Sequence, residues 1–355
     1  MAAGTEAGMI GASGRGKQLP AAAIGVTIQG PMPSLAGIAG RLERAGVDSV
    51  WTGDYFQSGL VRAAVLGAAT SRALVGTHVL QAFARSPLAT ALAAQDLQEL
   101  TGGRFVLGLG SQFPVANRRW HGITVERPVA ALREYVAAVR ALLAAPADES
   151  VRFDGEQFRY RVPPFRGTTT WPPPPVWIGG AGPATVQLAA DVADGLAGHL
   201  LWTYSYVRDE VRPVVQARPL PVTVPRLVGS RTVPGALDDL LRALAHYLVT
   251  PGYEQLLARQ GIDIDRGRLL AAVRGRDAGT VSRIVAPYAD QWCIRDGEEL
   301  ARHRALAAAH GADRLMLLVP ADAADPARVT AHEQALADLL TAGAPAGLGG
   351  RTSSP

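Results

Sequence analysis

The stretch ALVGTHVLQAFARSPLATALAAQDLQELTGGRFVLGLG, residues 73–110, decides the fold class. It begins with a run rich in branched residues, 73–80, which predicts a buried strand. Pro87 then opens a helix at its first turn, where a missing N–H costs nothing, and a Gly-Gly pair beginning at Gly102 ends it. A second apolar run, 104–109, predicts another buried strand. The order strand, helix, strand is typical of a parallel sheet.

The same alternation continues over most of the chain. One helix is expected to begin at Ser34 and to end at Arg44. The predicted strands are residues 23–28, 49–52, 73–80, 104–109, 176–178, 195–198, 221–228 and 314–319. Eight βα units predict an α/β fold, a (β/α)8 TIM barrel. The alternative is an open doubly wound sheet, although no GxGxxG motif follows the first strand.

Two segments interrupt the alternation and predict insertions. Residues 146–175 hold Phe153-Asp154-Gly155 between β-like runs, which indicates a hairpin. Residues 236–288 indicate a mostly helical insertion or lid. Residues 202–218 are expected to be irregular.

We expect one domain over residues 22–341, between a disordered leader, 1–21, and a flexible tail, 342–355. The leader is Gly-rich and lacks the apolar core of a secretory signal. No apolar stretch is long enough to span a bilayer, so no membrane contact is expected. The sequence therefore predicts a cytoplasmic protein.

Composition restricts the possible chemistry. Lysine and arginine together number 35, and Lys17 is the single lysine. Schiff-base enzymes require a buried lysine amine and are disfavoured. Cys293 is the single cysteine, which excludes intrachain disulfides and thiolate clusters and indicates a buried thiol. The formal charge is +4 without a basic run, so no nucleic-acid partner is expected.

Candidate site residues lie at the carboxyl ends of the predicted strands, where barrel enzymes carry their chemistry. They are Asp54, Tyr55, His78, Gln81, Ser111, Gln112, His199 and Trp202. Asp54 is either structural, as a helix cap or a tie to the backbone, or a ligand, and His199 is equally a structural histidine or a ligand. Trp51, Trp202 and Tyr55 either stack on a flat ring or pack in the core.

The turn after the fifth strand predicts an anion site. It consists of Gly179, Gly180, Ala181, Gly182 and Pro183. Glycines let the backbone approach a ligand, and the N–H groups at the start of the next helix favour an anion. A phosphate site is favoured here over a plain tight turn.

The sequence lacks the motifs that other reaction classes require. No histidines pair as HxH at a strand end, and neither HExxH nor GxSxG occurs. A metal site and a serine nucleophile are therefore disfavoured. So few acid and base groups suit a cofactor that carries its own chemistry.

Four motifs together resemble the bacterial-luciferase-like oxidoreductases, and within them the branch that uses coenzyme F420. They are VWTGDYF (50–56), VGTHVLQAFARSP (75–87), GGRFVLGLGSQF (102–113) and PPVWIGGAGPATVQLAADVADG (174–195). The resemblance covers residues 24–340. It implies a (β/α)8 barrel, in agreement with the strand count.

The resemblance also implies roles for individual residues. Asp54 matches an aspartate on the deazaflavin side of the site, and a non-prolyl cis peptide that backs the ring is expected at His78–Val79. Gln81, Ser111 and Gln112 fall where relatives contact the cofactor. The turn 179–183 matches the loop that holds the cofactor phosphate.

The chain departs from this branch at two positions. Tyr55 stands where dehydrogenases of the branch have a histidine, and Phe113 stands where they have a glutamate acid. The usual acid/base pair is therefore absent, which puts oxidation of alcohols and sugar phosphates in doubt. Tyr55 and His199 are the candidate catalytic proton donors.

Three functional hypotheses follow. The first is an F420-dependent oxidoreductase that moves a hydride between deazaflavin C5 and an organic small molecule. The second is an FMN-dependent monooxygenase that uses reduced flavin and oxygen, with a flavin or F420 reductase as a possible partner. The third is a non-catalytic cofactor-binding protein. The resemblance also implies a homodimer.

Overall fold

Strands and helices alternate in the computed structural model, which describes residues 21–55, 57–146, 148–164, 171–320 and 325–342. In chain order the strands are β1 (Ala23–Thr27), β2 (Ser49–Thr52), β3 (Leu74–Thr77), β4 (Leu80–Gln81), β5 (Phe105–Gly110), β6 (Val151–Asp154), β7 (Arg159–Val162), β8 (Val176–Gly179), β9 (Gly195–Ala197), β10 (Val222–Val228), β11 (Cys293–Ile294) and β12 (Arg314–Leu318). The helices are α1 (Met32–Arg44), α2 (Gly59–Ala69), α3 (Pro87–Leu100), α4 (Pro114–His121), α5 (Pro128–Ala144), α6 (Pro183–Val192), α7 (Tyr204–Tyr206), α8 (Arg212–Val215), α9 (Ala236–Val249), α10 (Glu254–Arg259), α11 (Arg266–Arg274), α12 (Ala278–Val285), α13 (Ala289–Trp292), α14 (Gly297–Ala309) and α15 (Pro326–Ala342).

Eight of the strands close into a parallel barrel. β1 pairs with β2 on one side and with β12 on the other. From β2 the ring runs through β3, β5, β8 and β9 to β10, which pairs with β12 and closes it. The eight strands of this ring are the eight predicted from the sequence. The prediction of a (β/α)8 TIM barrel is confirmed, and the open doubly wound sheet is wrong.

Large side chains fill the barrel interior. Trp51 in β2 and Trp177 in β8 are buried, and their ring centroids lie 5.3 Å apart although the two strands are not neighbours. The two rings therefore meet inside the barrel. A Cβ on Gly76 would lie 2.2 Å from the Trp51 ring, and one on Gly195 would lie 2.3 Å from the Trp177 ring. Small residues on the adjacent strands thus make room for large ones, and Trp51 is a core residue.

Proline and serine mark the starts of several helices. Pro87 is the first residue of α3, as predicted, and the hydroxyl of Ser86 accepts the Ala89 N–H in the first turn of this helix. The expected start of α1 at Ser34 is wrong by two residues. The helix begins at Met32, because Pro31 holds extended backbone just before it, and Ser34 Oγ donates to the Pro31 carbonyl within the first turn, at 2.9 Å.

Residues 202–218 are not irregular, contrary to the prediction. The chain is helical through α7, a π-helical turn over Val207–Val211, and α8. Val207, Val211 and Val215 are fully buried at a spacing of four residues. This apolar face packs against the barrel and stabilises the helix. The charged residues on the other face make the helix hard to recognise in the sequence.

The two segments that interrupt the alternation contain the expected elements. β6 and β7 pair antiparallel and form the hairpin expected in 146–175, of which residues 147 and 165–170 lie outside the described part. Residues 236–288 contain the helices α9 to α12. The short strand β11, which was not predicted, then pairs with the end of β10, Val228 opposite Ile294. The chain therefore leaves β10 and returns beside it.

The predicted leader and tail fall almost entirely outside the described residues, so the division into one domain with flexible ends stays a prediction. Along the described ranges, none of the helices has the length and apolar character needed to cross a bilayer. Cys293 is buried, as expected, and burial raises the pKa of its thiol to about 12.

Glu43 ties the end of α1 to the turn before β3. Its carboxylate accepts the N–H groups of Ser71, Arg72 and Ala73 and the hydroxyl of Ser71. Burial raises the pKa of this carboxyl, but the four hydrogen bonds outweigh burial and lower the pKa to about 2. Because the folded pKa lies below the ordinary value of 4.5, these bonds stabilise the fold above pH 4.5, and their contribution is lost as the pH falls towards 2.

We therefore expect Glu43→Gln to lower the urea midpoint of unfolding at neutral pH, with the difference from the wild type closing as the pH falls towards 2. Urea unfolding at a series of pH values measures this. Glu99→Gln, on the exposed face of α3, is the matched control and should leave the midpoint unchanged. A Glu43→Gln difference that is the same at low and neutral pH would contradict the role of this carboxylate.

Candidate active site

The third barrel strand is interrupted at the site. His78 and Val79 separate β3 from β4, and the peptide bond between them is cis, as the resemblance implies. The Val79 side chain lies against Gly108, Gly110 and Gly179. A Cβ at these three positions would lie 3.4, 2.7 and 2.9 Å from its methyl carbons, so glycines of β5 and β8 set the place of Val79.

Both carboxylate oxygens of Asp54 bind protein groups. Oδ1 accepts the Gly59 N–H at 2.8 Å, and Oδ2 accepts the Gln81 N–H at 3.1 Å. The Arg85 guanidinium donates to both oxygens, at 2.5 and 3.1 Å. Four hydrogen bonds use the acceptor capacity of a carboxylate. Since Gly59 is the first residue of α2, the geometry favours the helix cap over the ligand, and direct contact of Asp54 with a cofactor stays a prediction.

Two other candidate residues, Gln81 and Ser111, are hydrogen-bonded to side chains of α4. Gln81 Oε1 lies 2.7 Å from His121 Nε2, and because an amide oxygen only accepts, His121 Nε2 carries the proton. Asn117 Nδ2 donates to the carbonyl of Ser111 at 2.8 Å. The next residue, Gln112, has left-handed backbone with φ 54°. The loop after β5 is thus fixed by hydrogen bonds from the helix that follows it.

His78 and His199 are neutral imidazoles within the site. Burial lowers the pKa of His78 to about 4, and burial together with the nearby His78 lowers that of His199 to about 3. His78 Nε2 lies 3.3 Å from the hydroxyl of Thr223 in β10. His199 Nδ1 accepts the N–H of Leu201 at 3.2 Å, so the proton of the neutral ring is on Nε2.

One wall of the site is aromatic and consists of Phe113, Tyr247 and Tyr253, which we call the aromatic wall. The Tyr253 ring centroid lies 4.3 Å from that of His199 and 5.0 Å from that of Phe113. The Tyr247 ring lies 6.1 Å from His199. Burial raises the pKa of Tyr247 to about 12 and raises that of Tyr253 as well, so both phenols keep their protons at neutral pH.

The loop 179–183 follows β8 and opens α6. Trp202 is fully buried, so it is a core residue, and its Nε1–H donates to the carbonyl of Ala181 at 2.8 Å. The hydroxyl of Thr185 donates to the carbonyl of Gly182 at 2.8 Å. Both carbonyls thus accept hydrogen bonds from the protein.

The other side of this loop suits an anion. Gly182, Pro183 and Arg259 line a cleft of about 170 Å³, together with parts of the aromatic wall. In the described residues, no acceptor lies within hydrogen-bond distance of the N–H groups of Ala181, Gly182 and Ala184. Free N–H groups at a helix start and a guanidinium across the cleft are what a phosphate binds.

Tyr55 lies at the mouth of the site. Its side chain is 66% exposed, and its ring meets that of Trp120 edge to face, with centroids 5.8 Å apart. It is near enough to the aromatic wall to contribute to the raised pKa values of Tyr247 and Tyr253. The two candidate proton donors therefore differ in setting, because Tyr55 meets solvent and His199 lies deeper.

Several residues of the site were not predicted from the sequence. They are Asn117, His121, Thr223, Tyr247, Tyr253 and Arg259. The available signal was that Tyr247, Tyr253 and Arg259 belong to the segment expected to be a lid. Among the described side chains, no three of His, Cys, Asp or Glu converge as a metal-binding group.

Known proteins are similar to this chain in sequence and in fold. A putative coenzyme F420-dependent oxidoreductase of Mycobacterium tuberculosis is 35% identical over 46% of this chain and 50% of its own length. The 5,10-methylenetetrahydromethanopterin reductase of Archaeoglobus fulgidus is 35% identical over 43% of this chain and 45% of its own length. The match spans about half of each of these two relatives.

Comparison with solved structures extends over nearly the whole chain. The coenzyme F420 dependent tetrahydromethanopterin reductase from Methanopyrus kandleri aligns with a TM-score of 0.69 and 18% identity, over 88% of this chain and 98% of that one. The likeness shows a common fold. The family model described as luciferase-like monooxygenase matches residues 14–217, more than half of the sequence. The chain therefore belongs to the luciferase-like monooxygenase family.

Proposed function

We propose that this protein is a coenzyme F420-dependent oxidoreductase that transfers a hydride between C5 of the deazaflavin and an organic small molecule. The observation that carries the proposal is the anion-suited edge of the loop 179–183, which lies in the same site as His78 and Val79. F420 joins a flat ring to a phosphate-bearing tail, so it needs both features. The M. tuberculosis relative, named as a putative F420-dependent oxidoreductase, supports the proposal.

The residues present fit such a cofactor. The N–H groups of the loop 179–183 and the Arg259 guanidinium would hold its phosphate. When bound, the cofactor supplies the hydride, so the protein mainly positions both partners and excludes water. The residues proposed on the ring side are Asp54, His78, Val79, Gln81, Ser111 and Gln112.

Tyr55 and His199 are proposed to have different tasks. The Tyr55 hydroxyl is exposed, so it can exchange a proton with water at the mouth of the site. With a pKa of about 3, His199 is neutral at neutral pH and acts there as a hydrogen-bond donor. With the tasks divided between Tyr55 and His199, the site does not require the histidine and glutamate that dehydrogenases of the F420 branch use.

Titration of the purified protein with F420 and, separately, with FMN tests the cofactor. We expect micromolar binding of F420 and much weaker binding of FMN. Micromolar FMN binding without F420 binding, with oxygen consumed in the presence of reduced FMN, would replace the proposal by the FMN-dependent monooxygenase. F420 binding without turnover in a broad substrate screen would favour the non-catalytic binding protein.

A pair of variants locates the phosphate end of the cofactor. We expect Arg259→Ala to weaken F420 binding by about tenfold, because a charge-assisted hydrogen bond to phosphate is lost. Arg274→Ala, an exposed arginine at the end of α11 that does not line the cleft, should leave the affinity unchanged. Equal affinities of the two variants would contradict the placement of the phosphate.

Three accompanying expectations stay predictions: a homodimer, a cytoplasmic location, and a separate flavin or F420 reductase that supplies reduced cofactor. The buried thiol of Cys293 fits a reducing compartment, because it forms no disulfide within the chain.

A further inference from the structure

The Nε2–H of His199 is a hydrogen-bond donor in the site that has no partner among the described residues. The Leu201 N–H occupies His199 Nδ1, which leaves the ring proton on Nε2. Within the described ranges that N–H makes no hydrogen bond, while the residue keeps partial exposure. An N–H in a partly open site is available to a ligand.

The position of this donor follows from the ends of three strands. The Gly198 N–H donates to Thr223 Oγ1 at 3.1 Å, and His78 Nε2 lies 3.3 Å from the same oxygen. Gly198, the residue before His199, and His78, the residue before Val79, thus contact the same hydroxyl. The free N–H thus stands beside the place proposed for the cofactor ring.

The groups around His199 carry no net charge. Tyr247 and Tyr253 are protonated phenols, and His78 is a neutral imidazole. The Asp54 carboxylate and the Arg85 guanidinium neutralise each other in a bidentate ion pair. A ligand group placed here meets flat aromatic surface and neutral donors, which are the His199 Nε2–H and the phenol O–H groups of Tyr247 and Tyr253. An anion here would lose its hydration without gaining a cation.

We propose, building on the proposed function, that the substrate is an uncharged, flat carbonyl compound, such as an aryl ketone. Its oxygen accepts the Nε2–H of His199, and its plane lies along the aromatic wall. His199 is then a catalytic residue that also sets specificity. Carboxylates and phosphates are disfavoured as the reacting group, because Arg85 is paired with Asp54 and Arg259 is assigned to the cofactor phosphate.

The reduction balances with the groups named. The carbonyl carbon gains a hydride from the reduced deazaflavin, which is left oxidised, and the π electron pair of the carbonyl moves to its oxygen. One proton from water completes the alcohol. The His199 N–H stabilises the negative charge that develops on the oxygen and keeps its own proton, as a preorganised donor does.

Nitrogen-15 NMR of histidine-labelled protein tests the donor. We expect the His199 signals, assigned by their loss in His199→Gln, to show a protonated Nε2 and an unprotonated Nδ1 from about pH 5.5 to pH 8. His78, Tyr247 and Tyr253 face this ring and keep their protonation states over the same range. A doubly protonated His199 at about pH 6 would overturn the proposal.

Ligand binding tests the substrate class, with acetophenone and benzoate as probes that share a ring and differ in charge. We expect acetophenone to bind at least about tenfold more tightly than benzoate. His199→Phe should weaken acetophenone by about tenfold, and His199→Gln, whose amide keeps an N–H, should recover part of the loss. His246→Gln, at the exposed end of α9, is the control and should change nothing. Benzoate binding as tight as acetophenone, or no acetophenone binding at millimolar concentration, would overturn the proposal.

Neither readout requires turnover, so the two proposals fail separately. Protein that prefers acetophenone and shows the expected His199 spectrum, yet binds no F420, would refute the cofactor alone. Protein that binds F420 and shows no preference for acetophenone would refute the substrate class alone. Each measurement is made on the full chain with and without F420.

Discussion

Replacing Gly108 with alanine should lower the free energy of unfolding by about 3 kcal/mol, the upper end of the usual range for overpacking. A Cβ on Gly108 would lie 1.9 Å from the carbonyl oxygen of Thr77, which is backbone and cannot rotate away. The Thr77 hydroxyl also accepts the Gly108 N–H at 2.8 Å and donates to the Gly108 carbonyl at 2.9 Å. β5 therefore cannot shift without losing both bonds. Urea unfolding followed by circular dichroism measures the loss.

Gly37→Ala is the matched control for this substitution. Gly37 lies on the exposed face of α1, and a Cβ there meets no atom within 4 Å. The change should stabilise the protein by roughly 0.5–1 kcal/mol, because glycine is unfavourable within a helix. Should Gly108→Ala unfold at the same urea concentration as the wild type, the close approach of β3 and β5 would be wrong.

Asp54→Ala should lower the free energy of unfolding by about 3 kcal/mol, because it leaves a largely buried guanidinium unpaired. The side chains of Asp54 and Arg85 are only 9% and 22% exposed. The N–H groups of Gly59 and Gln81 lose their acceptor as well. The double variant Asp54→Ala/Arg85→Ala should lose less than the sum of the two single variants, since no charge is left alone. Urea unfolding of all four proteins gives the coupling.

The pair formed by Arg41 and Asp338 provides the comparison. Its atoms lie 2.8 Å apart, but the side chains are 42% and 72% exposed. Asp338→Ala should therefore change the free energy of unfolding by less than about 1 kcal/mol. Similar losses in Asp338→Ala and Asp54→Ala would show that the Asp54 network does not hold the ends of β2 and β4 together.

The barrel strands could be predicted because both of their faces are buried. Residues 49–52 form β2 with the predicted bounds, and all four side chains are buried, including the polar Ser49 and Thr52. Helix ends were harder, because they depend on one backbone angle, as Pro31 shows at the start of α1. The helical segment 204–215 was missed because burial against the barrel stabilises it, and the sequence does not display that contact.

The site was predictable where one loop contains the whole feature. The turn 179–183 carries its own glycines and its own helix start, so its anion-suited shape follows from local sequence. The aromatic wall does not, because Tyr253 meets His199 only after the chain has passed through β10 and α9. The sequence likewise contains Arg259 without any sign that it faces the loop 179–183.

The pairing of β11 with the end of β10 has an evolutionary consequence. Val228 lies opposite Ile294, and the Gly229 N–H donates to the Ile294 carbonyl at 3.0 Å, so the stretch 229–292 begins and ends at one place on the barrel. That stretch supplies Tyr247, Tyr253 and Arg259, while the loops after the other strands are encoded elsewhere. Recombination with crossovers at these two adjacent positions could exchange the side of the pocket formed by Tyr247, Tyr253 and Arg259 and leave the barrel intact. New specificities in this lineage are thus open to modular inheritance as well as to point mutation.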